Sequence, residues 1–152
     1  MTLAFRAKYV SCANAIGGEI LQVCLDTLRQ SEDKIERSTP YVLISRNFEF
    51  PESPTIEWHD GTDYDGGAEI TSLTLRRDRA SITLDRDLEI EVSFSLGARR
   101  FGELNTYLRR MLDEAVFLSH KSPNQQGRAN GRQPFSSETN RTSGAAASRR
   151  SP

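Results

Sequence analysis

The chain of 152 residues holds two cysteines, two histidines and one tryptophan, and each scarcity closes a route. Cys12 and Cys24 stand in separate apolar segments, without the close Cys or His spacing of a zinc site, and read as buried free thiols. A nucleophilic cysteine needs a base. His59 and His120 are the only imidazoles, and neither lies in a recognisable catalytic context. No apolar run approaches the roughly 20 residues of a bilayer helix, so no membrane association is expected. Met1-Thr-Leu-Ala-Phe-Arg-Ala-Lys8 lacks a basic segment followed by an apolar one. It reads as a strand start, not a signal peptide, and the expectation is a cytoplasmic protein.

The most informative absence is of positive charge. From Asn47 to Leu75 the chain carries Glu49, Glu52, Glu57, Asp60, Asp63, Asp65 and Glu69 with no Lys or Arg. A single-sign stretch on a small domain attracts cationic partners and repels itself, which calls for a compensating use; its bland alternative is a solvated acidic loop. The near-neutral total hides a division. Residues 1–120 hold 14 basic and 20 acidic side chains, a net of −6, whereas the tail carries Lys121, Arg128, Arg132, Arg141, Arg149 and Arg150 against Glu138. The expected organisation is a folded domain over 1–120 and a disordered basic Ser/Gly/Arg-rich tail over 121–152, because the tail has too little apolar surface to offset its ordering entropy.

What is abundant is alternation. Leu88, Ile90, Val92, Phe94 and Leu96 interleave with Glu89, Glu91, Ser93 and Ser95, the pattern of a half-buried antiparallel strand. Ala80 to Leu84 alternates likewise, with Asp85-Arg-Asp87 as turn material, and Ile70 to Leu75 adds a third strand, making a meander. Tyr41 to Arg46 suits a central strand, extended through Phe48 and Phe50 until Pro51 and Pro54 break it. Ile56-Glu-Trp58 is a short strand. Leu3 to Cys12 and Ile20 to Leu28 are two more, joined by a turn at Gly17-Gly18; a helix over 13–29 also fits the apolar spacing, but β-branched residues and the double glycine favour strand. Phe101, Leu104, Leu108, Met111, Leu112 and Ala115 recur at helical spacing opposite Glu103, Arg109, Arg110, Asp113 and Glu114. The expected fold is α+β: a meander-rich antiparallel sheet covered by one C-terminal amphipathic helix.

The order of these elements and several short strings resemble the immunity protein 10 family of bacterial polymorphic toxin systems. Tyr41-Val-Leu-Ile-Ser-Arg46 is similar to the family's Tyr-Leu-Met-Leu-Gln-Arg-type strand, Ile56-Glu-Trp58 to its Ile-Glu strand, and Tyr64-Asp-Gly-Gly-Ala-Glu-Ile70 to its Tyr-Gly-Gly-Ile-type turn. The match runs from about Leu3 to Glu114 and rests on order and spacing. Here Asp65 is inserted before Gly66-Gly67, two prolines break the connection before Ile56, and the basic tail has no counterpart. The resemblance implies neutralisation of a cognate toxin domain by binding, with no catalytic residue and no cofactor.

The acidic stretch then supplies the candidate toxin-binding residues: Glu57, Trp58, Asp60, Asp63, Tyr64, Asp65 and Glu69. Trp58 and Tyr64 are core or rim packing in one reading and interface anchors in the other. A metal reading of the same loop fails the calcium pattern, since alignment on Gly66 puts Gly61 and Ser72 where acids belong. Gly66-Gly67 reads as a tight turn or bulge needing positive φ. Arg76, Arg77 and Arg79 are too few on a negative domain for nucleic-acid binding and are expected to pair with Asp78, Asp85 or Asp87. The alternative to toxin binding is a small metal-dependent enzyme or ligand-binding domain centred on His59, Asp60, Asp63 and Asp65, which requires those groups to converge in a pocket. A partner-binding or nucleic-acid module acting through the basic tail is the third reading.

Overall fold

A computed structural model describes residues 2–28, 39–50 and 53–119, all within one unit spanning Met1–Ser122. The predicted tail, 121–152, lies outside the described residues. The fold is α+β, as the alternation and the one helical stripe require. Among the described residues ten strands form two five-stranded sheets where the sequence reading expected one.

The first sheet has the order β1-β9-β8-β7-β10. β7 (Ile70–Leu75), β8 (Arg79–Leu84) and β9 (Glu89–Ser93) are the predicted meander, antiparallel throughout. β1 (Thr2–Arg6) adds in parallel to β9, pairing Thr2 with Glu89, and β10 (Phe117–Ser119) adds in parallel to β7. The second sheet is antiparallel, running β2 (Tyr9–Ala15), β3 (Ile20–Asp26), β4 (Tyr41–Asn47), β5 (Thr55–His59) and β6 (Tyr64–Ala68).

Two short joints connect the sheets. The run Leu3 to Cys12, read as one strand, divides at Ala7-Lys8: Ala7 N donates to Ser93 O in the first sheet, and Lys8 N donates to Asp26 O in the second. The second joint is Glu69, between β6 and β7. Its amide donates to Asp85 Oδ1 at 3.0 Å, and its carbonyl accepts from Asp85 N at 3.1 Å.

Alternating apolar residues of both sheets meet in a single core that includes Leu21, Val42, Ile44 and Ile56 from one sheet and Leu75, Ile82 and Ile90 from the other. The helix α1 (Ala98–Met111) packs against β2, β3 and β10 and adds Leu104, Leu108 and Met111. It ends where Leu112 turns extended, so Ala115 lies beyond it. Arg109 and Arg110 in its last turn suit the negative end of the dipole. Arg46 Nη1, reaching from β4, donates to the Met111 carbonyl and ties the helix terminus to the second sheet. β4 stops at Asn47, and Phe48 and Phe50 do not extend it as expected. They stand exposed at the sheet corner, where Phe48 N donates to Glu19 O and Asn47 Oδ1 accepts from Glu49 N.

Candidate functional site

The acidic stretch folds into the β5–β6 hairpin, with β6 on the outer edge of the second sheet. Asp and Gly are poor strand formers, and the sequence reading took 64–68 as a turn. Pairing with β5 makes it a strand: Glu57 faces Gly66, Trp58 faces Asp65 and His59 faces Tyr64. The bulge expected at the double glycine is present. Ile56 pairs with Ala68 and Glu57 with Gly66, which leaves Gly67 as the extra residue at φ 73°. Gly66 eases the close approach of the strands: a Cβ there would stand 3.2 Å from Ile56 O and 3.3 Å from Glu57 Cγ, tight enough that the neighbours would have to give by a few tenths of an ångström.

The structure sorts the seven candidate residues into different roles. Trp58 is 6 % exposed and belongs to the core, so it offers no surface to a partner. Asp60 braces the hairpin turn. Its Oδ1 accepts from Thr62 N at 2.7 Å and Asp63 N at 2.8 Å, and those backbone bonds, Asp63's first, hold its carboxyl below the usual aspartate value. Glu69 is exposed, but its backbone belongs to the joint between sheets. Asp63 is exposed at the tip.

Glu57, Tyr64 and Asp65 come together. With Thr55, Gly66 and Gly67 they line a shallow depression of about 420 Å³. Tyr64 is 59 % exposed and stands beside the half-buried Glu57. Crowding by neighbouring atoms, then the Glu57 charge, raise the phenol above its ordinary value. Asp65 Oδ1 accepts from Gly66 N at 2.7 Å and lies 3.5 Å from the guanidinium of Arg86. Apart from that arginine, no cation forms an ion pair with the hairpin carboxylates among the described residues. The Arg76–Arg79 turn pairs Arg79 with Asp78 at 3.4 Å and lays Arg77 over Phe101.

His59, Asp60, Asp63 and Asp65 do not form a metal-binding group, and no three His, Cys, Asp or Glu side chains do so among the described residues. His59 is 8 % exposed, stacks on Tyr41 with centroids 6.0 Å apart, and accepts from Gly61 N through Nδ1 at 2.9 Å. One ring nitrogen is therefore occupied by the turn. Of the cysteines, Cys24 is buried as expected, while Cys12 is only partly covered, beside a small cavity it shares with Arg99, Arg100 and Glu103. Burial first and then Glu103 push its thiol up to about 12, against the opposing pull of Arg100.

Two features were missed from sequence. Register places Tyr9, Asp26, Tyr41, His59 and Tyr64 in one row across the second sheet, on the face opposite Val42 and Ile44. Asp26, 2 % exposed and accepting from Leu28 N at 2.9 Å, lies inside the run Ile20 to Leu28, which was read only as a strand. The second is the corner where Ile16, Phe48 and Phe50 are all exposed, Ile16 at φ 51°. A β-branched residue at positive φ is a backbone outlier that no local pattern announces.

No helix among the described residues is long and apolar enough to cross a membrane. Compared with known proteins, the chain matches no family model, no curated protein and no solved structure.

Proposed function

We propose that this chain is an immunity protein that binds a cognate toxin domain and blocks its active site, using the acidic face of the β5–β6 hairpin. The observation that carries the reading is the hairpin itself. Asp63, Tyr64 and Asp65 project exposed from an edge strand in a stretch with no basic residue, beside the half-buried Glu57. Exposed aromatics among carboxylates are the composition of an interface anchor for a cationic surface. The resemblance of Tyr41 to Arg46, Ile56 to Trp58 and Tyr64 to Ile70 to immunity proteins points the same way. A toxin with a basic cleft suits the field, since complementary charge lifts association rates to about 10⁸–10⁹ M⁻¹s⁻¹ at low salt.

The test is growth rescue, with binding kinetics, against a candidate cognate toxin domain. Asp60 braces the turn, so the informative reversal spares it. Asp63→Lys with Asp65→Lys should slow association and flatten its salt dependence while the fold persists. Full rescue with unchanged kinetics would remove the hairpin from the interface.

A further inference from the structure

We propose that one end of the first sheet binds the phosphate backbone of a nucleic acid without reading its bases. The three arginines of the β7–β8 turn are too few for this alone, but the fold brings four more cations to them from distant parts of the chain. Register sets Arg6 on β1 and Arg79 on β8 on either side of Ser93, in one row on the solvent face. Arg77 reaches from the turn to the start of α1, where its guanidinium lies 4.9 Å from the centroid of Phe101. There Arg99 and Arg100 stand exposed, and Arg100 shares a cavity with Lys8, Ser95 and Gly97. With Arg76 these cations are half of the 14 basic side chains in residues 1–120, and all are exposed.

Three observations point independently to a polyanion. First, much of this charge is unspent. Arg79 pairs with Asp78 at 3.4 Å, whereas Arg6, Arg76 and Arg99 have no ion pair or side-chain hydrogen bond among the described residues. Glu103 stands a turn further along α1 and pairs with neither Arg99 nor Arg100. Second, the first turn of α1 holds no acid, and two arginines face the positive end of the helix dipole, a placement that repels itself until an anion relieves it. Third, β10 ends with Ser119 paired to Leu75, so the described chain stops at this same end. The sequence continues with Lys121, Arg128, Arg132, Arg141, Arg149 and Arg150 against Glu138. Arg6 and Arg79, two strand spacings or about 10 Å apart, suit a polymer better than a lone phosphate, since a nucleic-acid strand brings a charge about every 3.4 Å of axis. Guanidinium forks and the exposed Ser95 hydroxyl are donors of the kind that hold phosphate oxygens.

The test is fluorescence anisotropy of a labelled 20-base-pair DNA duplex of mixed sequence, titrated with the full chain over a range of salt. The Kd should be about 1–100 µM near 0.1 M salt, and its logarithm should change with that of salt with a slope of about 3 or more. Changing Arg6, Arg76 and Arg99 together to Ala should weaken binding at least about tenfold and flatten the slope by about 2–3. The same three positions changed to Lys keep the charge and should bind within about threefold of the unmodified chain, which separates lost contacts from lost fold. Arg110→Ala, at the far end of α1, should change nothing. A scrambled duplex should bind equally well. Absence of binding, a slope below about 1, or full affinity in the triple-Ala variant, which would place binding in the tail, overturns the proposal. So does equal or tighter binding to polyglutamate or to phosphatidylserine vesicles, which would make the partner an acidic protein or a membrane.

Discussion

At the scale of the residue, the carboxylates of the acidic stretch have divided labour. Asp60 serves the fold. Its carboxyl is held low by bonds from the Asp63 and Thr62 amides, so the turn it braces is stabilised above the ordinary aspartate range and loses that support as pH falls through the folded value. The Thr62 and Asp63 amide shifts should therefore titrate together with a midpoint below about 3.9, and Asp60→Ala should abolish that titration. Midpoints at or above the ordinary value would show that the bonds to Oδ1 do not hold in solution. Cys12 makes the opposite point. With its thiol pushed up to about 12, chiefly by burial, it stays protonated and unreactive at neutral pH. Iodoacetamide should label it far more slowly in the native protein than in denaturant, and equal rates would mean that the cover over it opens freely.

At the scale of the element, what the sequence announced was whatever local periodicity can encode. The meander β7–β8–β9 and the helix were legible because apolar residues recur at two and at 3.6 residues over uninterrupted runs. β6 was not, because Asp65-Gly-Gly67 has no strand propensity of its own and takes its conformation from β5. The bend at Ala7-Lys8 was invisible for the converse reason: alternation continues through it while the hydrogen-bond partner changes. β10 has three residues and pairs with a strand far upstream in the sequence. Of the candidate site, charge was readable and burial was not, since nothing local distinguishes Trp58 in the core from Tyr64 outside it. The helix permits a direct check. Leu108 is 2 % exposed, and Leu108→Ala should cost about 2–5 kcal/mol in chemical denaturation. Arg109 faces away from the core but lies 5.4 Å from the centroid of Phe117, so Arg109→Ala should cost only about 0.5–1 kcal/mol. Equal small losses from both would mean that α1 does not seal the core.

At the scale of the whole molecule, the two sheets are bound by chain as well as by contact. Each joint is one or two residues long, and at each the backbone exchanges hydrogen bonds with one sheet immediately beside residues that belong to the other. The acidic hairpin is the last part of the second sheet before one of those joints, which anchors its base at Glu69 while its tip stands free of other strands. A rigid base under an exposed edge suits a surface that must be presented in one shape, because little ordering entropy is then lost on binding.

The parallel pairing of β1 with β9 has a temporal consequence. Thr2–Arg6 is made before the other described strands, yet its neighbour in the sheet is Glu89–Ser93, made after the seven described strands between them. Translation at about 5–20 residues per second leaves that first strand waiting for several seconds with one edge and one apolar face uncommitted. Among the described strands β1 thus waits longest for its neighbour, whereas β10, made after β9, finds β7 already present.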